Sequence, residues 1–367
     1  MVATFGLIFL TYPIKIFGYG HVQVSSILTI IFVIFGFIHF YKDLRLTYRV
    51  KPFLYLFLFS LWTVPVNVFY YIKYKNVAGS YKFILDSGTY LIYFFFAFFV
   101  FLLFKKRFEL TVRTWMVVSL LTIIPYFIYL IFYSFDGRPL LFFINKNQFS
   151  HWAYYLLMLS SLIFISKRDY NWLEHIVSLA LIFSISASFI SISRMSMLTT
   201  IIAGVVLFFV RARLVLIAIL VSIFLLLLHY KISPITIDKD LDRIETKYAG
   251  NGIHDSFLMR GYWKIVKYPK YLLFGAGENV MKLRFEDHLE IHSLLGNILF
   301  AYGMVGFLFF VLSYYHFLFT GDFRYEIFLF IPLLLLSLYH NIIRVPYVWL
   351  FPVLYYYGSS YYKKNST

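Results

Sequence analysis

The sequence predicts an all-α protein that crosses a membrane many times, and three observations support this fold class. Of its 367 residues, 61% are hydrophobic and only 14% are charged, against roughly 25% charged residues in typical soluble domains. The mean hydropathy is +0.78. Apolar runs of about 18 residues or more recur from end to end, and each is long enough to cross ~30 Å of hydrocarbon as a helix.

Taken in chain order, the apolar segments predict about twelve transmembrane helices. Most of them are separated by short polar or basic turns. The stretch 172–210 is apolar for longer than one helix can use, so the chain is expected to turn near Ser191–Arg194. The predicted helices lie near 3–20, 22–41, 52–72, 81–104, 114–134, 147–166, 172–191, 195–210, 213–230, 291–318, 325–341 and 345–362.

The basic residues predict the topology. Cytoplasmic loops of membrane proteins carry an excess of Lys and Arg, and here alternate loops differ sharply in these residues. With twelve helices, both termini are expected in the cytoplasm, and most of the net charge of +16 is a topology signal. The strongly basic loops lie at 42–51, 105–113, 167–168, 211–213, 324 and 363–364.

One long polar loop, Lys231–Glu290, interrupts this pattern, and such loops are usually functional. It is expected on the outer face. The chain therefore divides into helices 1–9 (1–230), an outer loop domain (231–290), and helices 10–12 with a short cytoplasmic tail (291–367). The loop holds nine acidic and ten Lys or Arg residues, so its near-neutral charge does not favour nucleic acid as a partner.

Arg194 lies at the predicted outer turn, although arginine is costly within a bilayer. It either extends towards lipid headgroups or holds an anion such as a lipid phosphate. Upstream, Ser184, Ser188 and Ser191 share one helix face. This face forms either a close-packed helix contact or the lining of a wet cleft.

Within the long loop, Arg260, Lys264 and Lys267 fall on one face of a predicted short helix that Pro269 ends. The face is either a solvated or interfacial surface or part of an anion site. The lone G-x-G formed by Gly275 and Gly277 follows no predicted strand, so a turn is predicted there instead of a phosphate loop.

His292 lies where the long loop enters the tenth helix, with Asn297 one turn further on. A histidine at a membrane surface suits proton acceptance from a hydroxyl, although a structural role is the alternative. His288 and His292 have a spacing that can chelate zinc in a helix, but without a third ligand no metal site is predicted. The chain has no cysteine, and no cofactor is expected.

Four stretches together resemble the O-antigen polymerase and O-antigen ligase superfamily of bacterial inner-membrane glycosyltransferases. They are INKNQFSHW (144–152), SISRMSML (191–198), MRGYWKIVKYPKYLLFGAG (259–277) and IHSLLGNILFAYGMVGF (291–307). The likeness covers most of residues 140–350, and the third and fourth stretches are the most specific.

The resemblance implies a fold like that of GT-C glycosyltransferases, with one large periplasmic loop. It also implies a bacterial inner-membrane enzyme of lipopolysaccharide or related polysaccharide biosynthesis. Such an enzyme takes glycan from undecaprenyl pyrophosphate on the periplasmic face, without a nucleotide sugar or an obligatory metal. Expected partners are this lipid-linked oligosaccharide, the bilayer, a chain-length regulator and a flippase.

By motif, Arg194 and Arg260 correspond to arginines that bind the pyrophosphate, and His292 corresponds to the histidine that activates the acceptor hydroxyl. Guanidinium groups suit this task because they stay charged and donate in fixed directions. From its predicted side and charge, Arg344 is expected to add a third cation. Possible further substrate contacts are Lys264, Tyr262 and Asn297.

A repeat-unit polymerase is the first functional hypothesis. Ligases of this superfamily commonly have asparagine after the histidine, whereas this chain has His292 followed by Ser293, a form more similar to polymerases. A ligase that transfers glycan to lipid A core is the first alternative. A transporter of lipid-linked sugars is the second, although transporters typically place ionisable residues near mid-membrane and interrupt their helices.

Overall fold

The computed structural model describes ten stretches of the chain, and these are almost entirely helical, with no strand among them. The described residues are 1–11, 24–77, 80–132, 146–166, 171–191, 194–232, 261–278, 291–319, 330–339 and 345–365. Six helices of the described part are long and apolar enough to cross a membrane. The described part of the chain is therefore all-α, and its long apolar helices indicate a protein that is embedded in a membrane.

The helices follow the apolar segments closely. Two short 3-10 helices, Tyr41–Asp43 and Pro269–Tyr271, accompany them. The α-helices are α1 Val2–Leu10, α2 Val24–Phe40, α3 Leu46–Arg49, α4 Lys51–Tyr74, α5 Lys82–Phe132, α6 Lys146–Ser166, α7 Asn171–Ser191, α8 Arg194–Ile232, α9 Trp263–Lys267, α10 Leu294–Phe319, α11 Phe330–Tyr339 and α12 Pro346–Asn365.

Helices α5 and α8 each contain two of the predicted helices, joined at a single non-helical arginine. The breaks lie at Arg107 and Arg211. The ring of Phe5 in α1 contacts both Phe104 and Trp115, which would lie about 16 Å apart along a continuous helix. The chain therefore bends sharply at Arg107. The predicted gap at 105–113 was too long, because helix resumes immediately after the arginine.

Helix α10 is interrupted at Gly303, so the prediction of one continuous helix over 291–318 is wrong. Gly303 has φ 68° and ψ −176°, a backbone conformation that glycine tolerates and other residues rarely adopt. The two pieces of α10 are thus separate helices. We call Leu294–Tyr302, which begins near His292, the outer half and Met304–Phe319 the inner half; the names refer to the order in the chain and not to a side of the membrane. The break could not be predicted from the apolar composition, because both halves are similarly hydrophobic.

Burial separates a central helix from a peripheral one. In the most apolar stretch of α5, 72% of the residues are buried, against only 22% in the corresponding stretch of α8. Large side chains such as Phe209, Leu220 and Phe224 of α8 are exposed, as expected for a surface that contacts lipid. The core of the bundle is therefore built around α5, and α8 lies at its edge.

The starts of several helices lie at one end of the bundle, which we call the His292 end. Tyr90 of α5 stacks on Trp349 near the start of α12, and Tyr155 of α6 contacts Phe351 of the same helix. Ser150 in the second turn of α6 hydrogen bonds with Ser196 in the first turn of α8, with 2.9 Å between the hydroxyl oxygens. The starts of α5, α6, α8 and α12 therefore lie together.

The opposite end gathers the basic loops. Lys106, beside the break in α5, pairs with Asp43 at 2.5 Å, and Arg211, at the break in α8, pairs with Glu174 at 2.7 Å. These residues belong to loops that the charge pattern assigned to one side. The side of the membrane itself stays a prediction, as do the count of twelve spans and a separate loop domain.

Candidate functional site

The segment Leu272–Glu278 packs into the break of α10 and replaces the hydrogen bonds that the helix loses there. The N–H groups of Ala276 and Gly277 donate to the carbonyls of Phe300 and Ala301 at 2.8 and 2.9 Å. On the other side of the break, the N–H of Met304 donates to the carbonyl of Leu272 at 2.6 Å. Broken membrane helices need such partners, because lipid offers none.

Close backbone approach makes this packing possible. A Cβ at Gly303 would lie 2.3 Å from the carbonyl oxygen of Leu273, and one at Gly275 would lie 2.2 Å from that of Ala301. Gly275 and Gly277 both have positive φ. The G-x-G therefore serves as an irregular turn that fits against a helix, and no strand precedes it among the described residues.

Glu278 ends this segment in a buried polar cluster, and we call Leu272–Glu278 the inserted segment. The hydroxyls of Tyr90 in α5 and Tyr302 in α10 both donate to Oε2 of Glu278. Its backbone N–H donates to Oδ1 of Asn67 in α4 at 3.2 Å. Nδ2 of Asn67 in turn donates to Ser87 in α5 at 2.9 Å. Glu278 is 1% exposed, so the carboxylate is enclosed by three helices.

The cluster lies inside the helices, more than two turns from the starts of α5 and α10. About 12 Å of helix separates Tyr90 from the start of α5, and a similar length separates Tyr302 from the start of α10. The rings of Tyr90 and Tyr302 contact each other at 5.8 Å, and Tyr302 also contacts Phe59 at 5.8 Å. An ionisable residue at such depth is costly unless donors satisfy it, and is commonly functional.

His292 stands exposed at the start of α10. Two and three residues later, Leu294 and Leu295 line a groove of about 590 Å³, together with the end of α10 from Phe310 to Phe319 and with α11. The groove is almost wholly apolar. The hydroxyls of Tyr314 and Ser337 in its wall donate to the carbonyls of Val348 and Leu334. The wall therefore offers hydrocarbon, and an exposed imidazole lies two residues before its first lining residue, Leu294.

The loop segment 261–271 lies beside His292. The hydroxyl of Tyr262 donates to the carbonyl of Leu338 in α11 at 2.7 Å, and its ring lies over Gly296, where a Cβ would come within 2.9 Å. Tyr262 thus ties the loop to both walls of the α10–α11 groove.

The two described lysines of the predicted cationic face do not share one solvated or interfacial surface. Lys264 is fully buried, with its ammonium 5.6 Å from the ring centroid of Trp263, whereas Lys267 is exposed. The difference arises because α9 packs one side against α10. Lys264 therefore lies in the interior of the site, where a charged donor is more effective than in water.

Asn297 lies in the outer half of α10, 1% exposed. Its backbone N–H donates to the carbonyl of Ser293 at 2.9 Å. Its side-chain Nδ2 is buried and has no hydrogen-bond partner among the described residues. A buried donor without a partner is costly, so Asn297 is a candidate for a ligand contact.

Arg194 is the first residue of α8 and lies at the His292 end, but its side chain is outside the described residues, as are Arg260 and Arg344 altogether. The residues next to them are described. Gly261 follows Arg260 at the foot of α9, and Val345 follows Arg344 immediately before α12. The structure therefore brings the chain around these arginines to one end without describing their contacts.

The serine face of α7 forms a helix contact. Ser184 and Ser188 both hydrogen bond with Thr200 of α8, with oxygen separations of 2.8 and 3.3 Å, and Ser191 donates to the carbonyl of Ser188. All four are buried. The close-packing interpretation is thus confirmed for Ser184 and Ser188, whereas the bond of Ser191 stays within α7. Beside them, α7 and α8 form a second apolar groove of about 570 Å³.

Sequence reasoning missed Glu278 and its two tyrosines. The signal available was an acid directly after two glycines in YLLFGAGE, together with Gly303 inside an apolar helix. Neither reveals that the two stretches meet. Among the described residues, no group of three His, Asp or Glu could hold a metal ion.

No protein-family model and no curated protein matches the chain.

Proposed function

We propose that the protein is a membrane glycosyltransferase that joins oligosaccharide repeat units linked to undecaprenyl pyrophosphate. The observation that carries the proposal is the exposed His292, which lies two residues before Leu294 in the wall of the apolar α10–α11 groove. A lipid-linked sugar has a hydrocarbon chain, which matches the apolar groove, and a polar head, which matches the exposed imidazole. A base at the edge of a hydrocarbon groove suits such a substrate.

In the proposed reaction, an acceptor hydroxyl attacks the anomeric carbon of the donor glycan and its proton passes to His292. The new glycosidic bond forms as the bond to the pyrophosphate breaks, and the pyrophosphate leaves with the lipid. Arg194, Arg260 and Arg344 are proposed to bind this anion, because developing negative charge needs fixed cationic donors. Lys264, Tyr262 and Asn297 are proposed substrate contacts. The reaction requires the His292 end to face the periplasm.

The test is reconstitution of the purified protein in vesicles with a lipid-linked repeat unit alone, with products resolved by size. A ladder of products is expected for a polymerase. A product that forms only when lipid A core is added would indicate the ligase instead. No transfer under either condition would contradict a glycosyltransferase.

His292→Ala is expected to reduce turnover by about 10²–10⁴-fold without weakening donor binding, because a general base acts in the chemical step. His175→Ala is the matched control, since His175 is also exposed but lies in the first turns of α7 at the opposite end. Unchanged turnover of the His292 variant would remove this residue from the mechanism.

A transporter of lipid-linked sugars is the second candidate, and specific observations favour it. Helix α10 is interrupted at Gly303, and Glu278 is buried beside the break, a combination typical of transporter binding sites. A vesicle assay that follows a labelled lipid-linked sugar across the bilayer distinguishes the two. Translocation without elongation would favour the transporter.

A further inference from the structure

Glu278 is positioned where it can control the geometry of the proposed base. We propose that it is a positioning residue: its carboxylate locks the inserted segment into the break of α10 and thereby fixes the outer half of α10, which begins beside His292. The catalytic consequence rests on the proposed function, but the lock itself does not.

The backbone contacts show why a lock at this point matters. The inserted segment bonds to Phe300 and Ala301 before the break and to Met304 after it. It therefore holds the two halves of α10 in one relative orientation. An isolated helical piece the length of Leu294–Tyr302 is not stable by itself, so the outer half depends on these contacts.

The side-chain contacts show what fastens the segment. Glu278 receives hydroxyl bonds from α5 and α10 and bonds to α4 through its backbone N–H. A second tie reaches the same piece of α10, since Nε1 of Trp62 donates to the carbonyl of Tyr302 at 2.8 Å. Tyr302 ends the outer half that begins at Leu294. Fixing Tyr302 therefore fixes the last residue of a helical piece whose first residue, Leu294, lies two positions after His292.

Packing alone does not explain a carboxylate at this position. Burying an ionised group is unfavourable unless donors satisfy it, and an apolar side chain of similar size would fill the space at less cost. The two tyrosine hydroxyls converge on a single oxygen, so the arrangement requires an acceptor there. Gln keeps a carbonyl oxygen that both hydroxyls can reach, whereas Ala keeps none.

The natural absence of cysteine provides a direct test. Ser293 is fully buried next to His292, and Ser293→Cys places a small thiol there. A membrane-permeant maleimide should modify this thiol slowly in the otherwise natural protein. In the Glu278→Ala background the rate is expected to rise at least about tenfold, because the outer half of α10 opens locally. Glu278→Gln should keep the thiol protected.

Two controls separate a local effect from general unfolding. Ser313→Cys reports on the inner half of α10, where Ser313 is buried and donates to the carbonyl of Pro52 at 3.0 Å, and it should stay protected in every variant. Glu109→Gln changes an exposed carboxylate paired with Arg113 and should alter neither thiol. If Glu278→Ala fails to fold, the double variant Tyr90→Phe, Tyr302→Phe removes both donors at nearly constant volume and should expose Ser293→Cys.

The catalytic part of the proposal is tested by turnover in the natural Ser293 background. Glu278→Ala should lower kcat by about 100-fold with KM nearly unchanged, since a small displacement of a base acts on the chemical step, and Glu278→Gln should restore most of kcat. A protected Ser293 thiol in the Glu278→Ala or double-tyrosine variant would overturn the lock. An exposed thiol with normal turnover would overturn its link to His292. If the natural protein transfers no glycan, the link fails with the proposed function, while thiol protection still decides the lock.

Discussion

Two regions of the molecule hold polar side chains inside a membrane domain in different ways. In the α4–α5–α10 region, a loop segment enters a broken helix and buries the carboxylate of Glu278 under two tyrosine hydroxyls. In the α6–α7–α8 region, the helices meet through neutral hydroxyl pairs such as Ser184 with Thr200 and Ser150 with Ser196, and no inserted segment is needed.

The difference shows how backbone continuity determines the polar chemistry. Where α7 and the first half of α8 run unbroken, their backbone groups bond internally, and Ser and Thr only add short contacts between helices. Where α10 breaks at Gly303, free carbonyls and N–H groups need partners from another segment. The α4–α5–α10 region should therefore lose far more stability on substitution than the α6–α7–α8 region.

The largest effect is expected from Gly303→Ala, which challenges the broken helix itself. The new methyl group would lie within 2.3–2.6 Å of backbone atoms of Leu273 and Gly275, and the alanine would have to adopt a positive φ. We expect a loss of about 3 kcal/mol or more in stability, seen as a large drop in the thermal unfolding midpoint in detergent. Gly88→Ala is the control, because no atom lies within 4 Å of a Cβ there. Equal midpoints would contradict the inserted geometry.

An intermediate effect is expected from Tyr302→Phe, which removes one of the two donors to Glu278. Hydrogen bonds to charged groups contribute about 1.5–3 kcal/mol, and the remaining bond from Tyr90 keeps the carboxylate partly satisfied. The matched control is Tyr314→Phe in the same helix, whose hydroxyl donates to the neutral carbonyl of Val348 at 3.1 Å. A larger loss of the unfolding midpoint for Tyr314→Phe would show that Glu278 does not depend on Tyr302.

The smallest effect is expected from Thr200→Val in the α6–α7–α8 region. It keeps the shape of the side chain and removes its bonds with Ser184 and Ser188. Interhelical bonds of this type in membranes average about 0.6 kcal/mol. Ser222→Ala, which removes only a bond within α8, is the comparison. A loss in the unfolding midpoint as large as that of Tyr302→Phe would erase the proposed contrast between the two regions.

Much of the fold was predictable, because long apolar segments in a bilayer form helices and end near polar residues. The predicted helices at 147–166 and 172–191 match α6 and α7 to within one residue. The break at Gly303 was not predictable, since a glycine inside an apolar run also occurs in continuous helices. It became visible only through its contact with a segment about 30 residues earlier in the chain.

The sequence showed where along the chain the candidate residues lie, but not which groups they contact. His292 is exposed at the start of α10, as a surface base must be, and Tyr262 and Asn297 lie in the adjoining segment and helix. Lys264 was expected on one helix face with Lys267, either as a solvated or interfacial surface or as part of an anion site. Lys264 is buried and Lys267 is exposed, because periodicity identifies a shared face but not what covers it. The roles of Arg194, Arg260 and Arg344 stay predictions.

The sequence by itself determined the membrane class, the helical segments and the concentration of basic residues in particular loops, because these follow from local hydropathy and charge. Only the tertiary structure decided that α10 is interrupted, that the inserted segment fills the break and that Glu278 is enclosed by Tyr90 and Tyr302. These features depend on contacts between residues far apart in the chain. The sequence shows a glutamate at position 278 but not whether it is buried, since burial depends on the hydroxyl donors that surround the carboxylate in the folded protein.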